Sequence, residues 1–304
     1  MPKAYVFTRY GGPEAEALVD VDRPSPGPGQ VLVAVRAAGV NPVDWKQRTG
    51  YRRPGESGER DFPAYFGSEV SGVVEEIGEG VEGFSVGDAV FGRPVVSGYS
   101  EYALLSVDLI ASKPAALSFA DAATLPVAAV TAYDGIRQLD LPADATVLVT
   151  GAGGGVGVAA VQIARARGLR VVGVAGAAKQ DLVESLGGVH VLSGPGWTER
   201  VPGGVDGVYD LVGGDVLQEA ATLLTDRTRL ITAGAPPEVV EKLGGARVAR
   251  VRSSDRLAAV AELVVNGDLD PQVTQTFPLA RAGEALRTVE EGHARGKIVI
   301  EVAI

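Results

Sequence analysis

The stretch TVLVTGAGGGVGVAAVQIARARG, residues 146–168, sets five glycines within seven positions, between a β-branched apolar run and an alanine-rich one. The upstream run, TVLVT, suits a short central strand buried on both faces. Downstream, Val156, Ala159, Ala160, Ile163 and Ala164 fall at i, i+3, i+4, i+7 and i+8 and make one apolar stripe of a helix. Strand, glycine turn and helix thus occur in the order that binds the pyrophosphate of a dinucleotide.

Such a turn asks glycine for a tight bend, for close approach of backbone N–H groups to phosphate, and for close packing of helix on strand. The G-x-G-x-x-G spelling fails, because Val156 stands where its third glycine belongs. The register that fits is Gly151-x-x-Gly154-x-x-Gly157, with Gly155 as the alternative to Gly154 and with Gly153 and Val156 inside the same cradle. The competing reading, a turn that only lets a small-residue helix pack tightly, leaves five glycines unexplained at about 0.5–1 kcal/mol each.

An NAD site usually carries an acid about 20 residues past the first glycine, to hold the ribose 2′-hydroxyl. Here that region reads VVGVAGAAKQD, residues 171–181, with no acid before Lys179. A carboxylate would repel a 2′-phosphate and a lysine pairs with it, so the expected cofactor is NADP(H). The alternative is that Lys179 is an ordinary exposed lysine in a first helical turn.

Composition narrows the class. The 304 residues suit two domains or one large α/β unit, and 46% hydrophobic with 22% charged residues describes a folded globular chain. A formal net charge of −10 disfavours nucleic acid and anionic membrane as partners. With no cysteine, disulfides and thiolate metal sites are excluded. The N-terminal stretch MPKAYVFTRYGG lacks the charged and apolar segments of a leader, and no apolar run is long enough to cross a bilayer, so the expected location is cytoplasmic.

Up to about residue 112 the chain reads as short strands punctuated by Gly and Pro, a β-rich barrel-like domain. From about residue 117, apolar runs alternate with helical patterns: TVLVT (146–150), RVVGVA (170–175), HVLS (190–193), GVYDLV (207–212) and RLITAG (229–234). That alternation predicts a doubly wound parallel sheet, α/β in class. The tail, with TQTFPL (274–279), a helical ARAGEALRTVEEG (280–292) and KIVIEVAI (297–304), is expected to rejoin the first domain.

Several segments together resemble the medium-chain dehydrogenase/reductase superfamily, in its zinc-free branch of zeta-crystallin-like quinone oxidoreductases and enoyl reductases. They are AAGVNPVDWKQRTG (37–50), PAYFGSEVSGVVEEIGEGVEGFSVGDAVFG (63–92), GYSEYALLSVDLIASKP (98–114), AATLPVAAVTAYDGI (122–136), the opening stretch, DLVGG (210–214) and GKIVIEV (296–302). The resemblance implies a GroES-like catalytic domain over 1–116 and 272–304 and a Rossmann domain over 117–271, with the active site in the cleft and a homodimer as assembly. Where zinc-dependent relatives carry a ligand histidine, this chain has Ser68 in Gly67-Ser68-Glu69. His190 and His293 match no ligand spacing, so no metal is expected.

Without a Lewis acid, the suitable substrates are those that delocalise an incoming hydride onto oxygen, a quinone or an α,β-unsaturated carbonyl. By resemblance, the proton or hydrogen-bond donor is Lys46, where relatives often carry tyrosine, or Tyr51, near the enoyl reductase tyrosine; solvent is the alternative. Asn41 is a natural N-cap before Pro42 and, by resemblance, lies beside the nicotinamide ribose. Thr131 resembles the family threonine on the nicotinamide side. The strand ends bring in Gly176, then Leu211, Val212 and Gly213, then Ala233 and Gly234. Relatives often have Tyr or His near the adenosine phosphate where this chain has Ser193-Gly194. Two other readings stay open: a non-catalytic dinucleotide-binding sensor, and a tailoring enoyl reductase whose loop GYRRPGESGERDFP (50–63) shapes specificity.

Overall fold

The computed structural model describes residues 1–52, 58 and 60–303. Residues 53–57 and 59 of the loop over 50–63 therefore lie outside the described residues. The chain forms two compact units: Met1–Val127 with Arg252–Val265 and Val273–Ile304, and Ala128–Val251 with Asn266–Gln272.

In the first unit, Gln30–Gly39, Val70–Ile77, Ala89–Val96 and Tyr102–Ser112 pair in sequence, and the last strand pairs back onto the first. Closing the sheet on itself removes its open edges. The inner faces meet in one core containing Val33, Val35, Phe66, Leu105 and Ile110. The tail joins through Lys297–Glu301, antiparallel to Gln30–Gly39 with Val299 opposite Gly39, and Val273–Pro278 lies parallel beside it.

The division differs from 117–271 at both ends. Residues 117–127 belong with the barrel because Ser71 Oγ donates to the Phe119 carbonyl at 2.5 Å and the Val127 N–H donates to Glu69 Oε2 at 2.7 Å. Helix Ser254–Val265 also belongs there: it packs on strand Tyr102–Ser112, and the Ser254 hydroxyl donates to the Val107 carbonyl at 3.0 Å.

Helix Pro42–Arg48 carries Lys46 and leads to Tyr51, the two catalytic candidates, and its last residue fastens it. The Arg48 guanidinium is fully buried, donates to the Gly11 carbonyl at 3.1 Å and to both Glu290 oxygens at 2.8 and 2.9 Å, and pairs with the buried Glu16 carboxylate. One side chain thus ties the N-terminal hairpin and helix Ala282–Glu290 to the candidate helix.

The second unit is a six-stranded parallel sheet of Thr146–Thr150, Arg170–Ala175, Val189–Leu192, Gly207–Asp210, Leu230–Thr232 and Ala246–Arg247. Numbered along this unit, the strands lie in the order 3-2-1-4-5-6, the doubly wound arrangement. The first strand is buried along its whole length. Helix Gly155–Ala166 is buried more broadly than one stripe, with Val158 and Val161 covered as well, because helix Val130–Leu139 packs along it. Among the described residues no helix is long and apolar enough to cross a membrane.

Replacing Arg48 by methionine should cost the protein roughly 3–5 kcal/mol, because the Glu16 carboxylate is left buried without its cation. Urea unfolding of the Arg48→Met variant measures it, and a loss below about 1 kcal/mol would remove Arg48 from its role as fastener.

Candidate functional site

The glycines of the opening stretch divide their work. Gly151 adopts φ +67°, in the left-handed region, and turns the chain out of the first strand. A Cβ at Gly157 would stand 2.3 Å from the Gly151 carbonyl oxygen and 2.6 Å from Ala152, so this glycine brings the helix onto the turn. Gly154 is the helix N-cap, and a Cβ there would meet only the Gly151 oxygen, at 3.4 Å. The first helical bond runs from the Val158 N–H to the Gly154 carbonyl, so the first-turn N–H groups, those of Gly155, Val156 and Gly157, face outward with the positive end of a twelve-residue helix.

Beside this turn lies a cavity of about 400 Å³, within the range of small-ligand sites. It brings Gly151, Gly153, Gly176, Lys179 and Val212 of the expected residues together with Ser193, Gly194, Trp197 and others. Among the described residues Lys179 contributes its one charged lining group. Trp197 is buried, its indole N–H donating to Glu219, and Arg200 holds the loop after the third strand by donating to the Leu192 carbonyl at 2.8 Å.

The crevice is stitched by a residue that sequence reading passes over. Asp210, fully buried at the end of the fourth strand, accepts from Thr150 Oγ1 at 2.7 Å and from Thr232 Oγ1 at 2.5 Å, one from each flanking strand. It also accepts the N–H of Val212 at 3.2 Å and of Gly213 at 3.0 Å. Thr150 Oγ1 in turn accepts from the Leu211 N–H, and Thr232 Oγ1 from the Gly234 N–H. Gly213 and Gly234 explain each other: a Cβ at 213 would stand 2.7 Å from the Gly234 oxygen, and one at 234 the same distance from Val212. The Ala233 N–H closes the group on the Asp210 carbonyl.

Thr131 is buried in helix Val130–Leu139, and its carbonyl accepts from the Tyr209 phenol at 2.7 Å. Burial pushes that phenol well above its usual pKa, so it stays a donor. Gly135 makes room for the ring, which a Cβ there would meet at 2.4 Å.

In the first unit, Asn41 caps helix Pro42–Arg48 as its sequence suggests, and the Asp44 carboxylate takes the Asn41 N–H at 2.9 Å. The Asn41 side chain donates to Glu69 Oε1 at 2.8 Å and accepts from Lys297 Nζ at 2.8 Å. That ammonium is itself buried, with two further acceptors in Glu69 Oε1 at 2.8 Å and the Val40 carbonyl at 3.0 Å. Ser68 Oγ donates to Asp44 Oδ1 at 2.5 Å and the Tyr99 phenol to Asp44 Oδ2 at 2.8 Å. Burial, with Asp44 beside it, pushes the Tyr99 phenol well above its usual pKa. Lys46 and Tyr51 are both exposed at the C-terminal end of this helix, where the Tyr51 N–H donates to the Lys46 carbonyl at 2.9 Å.

Residues 27–130 match the alcohol dehydrogenase GroES-like domain, and 186–300 the domain described as zinc-binding dehydrogenase. The chain is 32% identical to the chloroplastic quinone-oxidoreductase QR1 of Triphysaria versicolor, with 98% of each chain covered. The chain belongs to the zinc-free quinone oxidoreductase and enoyl reductase branch of the medium-chain dehydrogenase/reductase superfamily. The solved quinone oxidoreductase of Coxiella burnetii superposes with a TM-score of 0.91 at 29% identity, covering 99% of both chains. A mycobacterial relative solved in complex with NADPH gives 0.88 at 28% identity, covering 99% of this chain and 100% of that one.

The residues present fit the cofactor of this family, NADP(H). The Gly154 face that a Cβ would meet so lightly leaves a phosphate room at the helix N-terminus, and among the described residues the cavity at the strand ends holds a lysine and no acid. Among the described residues no group of three or more His, Asp or Glu is placed to hold a metal ion. Ser68 donates its hydroxyl to Asp44.

The Asp210 stitch is testable. Asp210→Ala leaves two threonine hydroxyls and two N–H groups without their acceptor and should cost about 3 kcal/mol, with Asp210→Asn intermediate. Chemical denaturation reads the loss, and NADPH titration of the folded fraction should show weaker binding because the loops after the fourth and fifth strands lose their anchor.

Proposed function

We propose that this chain reduces a conjugated acceptor, a quinone or an α,β-unsaturated carbonyl, at the expense of NADPH. The observation that carries the reading is the cavity at the strand ends, with Gly151 and Gly153 of the glycine turn on one side and Lys179 as its one charged lining group among the described residues. Relatives named as quinone oxidoreductases support the acceptor class. When bound, the cofactor supplies a hydride.

The chain's own residues do the rest. N–H groups at the start of helix Gly155–Ala166 bind the pyrophosphate, and Lys179 pairs with the 2′-phosphate. Asn41, held at both ends of its amide by Glu69 and Lys297, keeps one further N–H for the nicotinamide ribose. Leu211, Val212, Ala233 and Gly234 present backbone groups, and Thr131 lines the nicotinamide side. Lys46 or Tyr51 steadies the oxygen on which charge develops and passes it a proton. Tyr10 and Phe62, each 40% exposed and edge to face at 5.1 Å, offer a planar acceptor an aromatic wall. The acidic, cysteine-free composition supports a cytoplasmic enzyme, and family membership supports a homodimer.

Purified protein should oxidise NADPH in the presence of at least one member of a panel of quinones, enones and enals. Tight NADPH binding with no turnover across that panel would favour the sensor reading instead. Replacing Lys46 by methionine and Tyr51 by phenylalanine together should lower kcat by roughly 10²-fold, the usual contribution of a positioned proton donor. An unchanged kcat would hand the proton to solvent.

A further inference from the structure

Three of the five glycines in the turn over 151–157 have a structural reason: Gly151 for its backbone angle, Gly157 for packing, Gly154 for an open face. Gly153 has a different one. It is buried and lies outside the left-handed region, so its backbone does not call for glycine. What calls for glycine is a side chain: a Cβ at 153 would stand 2.6 Å from Lys179 Cδ, 2.7 Å from Lys179 Cβ and 3.0 Å from Lys179 Cγ. The lysine stem lies flat across the glycine turn.

The clash reaches back to the Lys179 Cβ, which is fixed to the backbone, so rotating the side chain cannot relieve it all. That backbone is itself held in the single turn Ala177–Lys179, where the Lys179 N–H donates to the Gly176 carbonyl at 2.9 Å. Both residues line the same cavity, and neighbouring Gly176, Ser193 and Gly194 carry no charge.

We infer that Gly153 is a specificity-determining residue: by lacking a side chain it gives the Lys179 stem a floor, and so places the ammonium for the 2′-phosphate of NADPH. This rests on the reading of Lys179 as the phosphate partner. Gly153 acts as a positioning residue, through the lysine, and any larger residue at 153 moves the cavity's one lining charge while leaving the pyrophosphate cradle of Gly151, Gly154 and Gly157 in place.

Calorimetric dissociation constants for NADPH and NADH, at one salt concentration, test it in wild type, Gly153→Ala, Lys179→Ala and the double variant. Gly153→Ala should weaken NADPH about tenfold, the size of one misplaced charge-assisted contact, and weaken NADH at least fivefold less. Lys179→Ala should lower the NADPH preference by a similar factor, and in its background Gly153→Ala should leave the NADPH-to-NADH ratio where it is. Retained NADH binding shows that each variant is folded, and Gly153→Ser should behave as Gly153→Ala does. Equal loss of both coenzymes in Gly153→Ala would assign the glycine to pyrophosphate approach, and no loss of either would remove its role; both overturn the inference. A preference that drops in Lys179→Ala but not in Gly153→Ala sinks the glycine's role alone. A preference unmoved in Lys179→Ala sinks the lysine reading together with the inference built on it.

Discussion

Asp210 is a fully buried carboxylate whose hydrogen bonds come from neutral groups, two threonine hydroxyls and two backbone N–H groups. Removing a carboxylate from water costs several kcal/mol, and these charge-assisted bonds are what offset it. The geometry follows from that demand. The first and fifth strands must present threonine at their last positions, and the loop after the fourth strand must turn back its N–H groups. Gly213 and Gly234 must pass close enough that neither tolerates a Cβ. The floor of the cofactor crevice is therefore set by one buried charge and the donors it recruits.

A parallel arrangement holds the first unit. Lys297 sits in the tail strand, and its ammonium meets Glu69, Asn41 and Val40. Glu69 also takes the Val127 N–H, so one ion pair joins the tail, the barrel and the segment leading out of it. A Cβ at Gly39 would stand 2.2 Å from Glu69 Oε1, which explains a glycine at the end of a long strand. Breaking such a pair from one side leaves a buried charge unmatched, so the pair fixes where Asn41 points as firmly as any packing contact.

Five of the six strands of the second unit were legible because each carries its own signal, whereas Ala246–Arg247, two residues long, carries none. TVLVT and RVVGVA, read as 146–150 and 170–175, coincide with the observed strands, since short β-branched runs between glycine-rich turns admit little else. Asp210 and Lys297 were not legible as organisers, although both stood inside segments that carried the resemblance. Their partners lie far away in the chain, 60 residues for Thr150 and 228 for Glu69, and local pattern holds no record of such pairings. Helix Ser254–Val265 packs on strand Tyr102–Ser112, far away in the chain, and local pattern does not say which sheet an apolar face will meet. Strand, glycine turn and helix over 146–166 were legible in order, whereas the reason for Gly153 lies in Lys179, 26 residues on, whose stem crosses it.

The two units solve opposite problems with charge. At Asp44 and Glu69 the buried carboxylates are fully engaged by Ser68, Tyr99, Asn41, Lys297 and backbone N–H groups, which leaves them acceptors of fixed bonds inside a rigid wall. Ser68 and Tyr99 both donate to Asp44, which makes that carboxylate part of the wall. In the second unit Lys179 instead lines a cavity, its stem lying across the glycine turn. Such a charge is only as selective as its position, because an ammonium a few ångströms off pairs with solvent as readily as with phosphate. A bare glycine beneath the lysine stem leaves room for it to lie across the turn, so the path of that side chain depends on an absent methyl group.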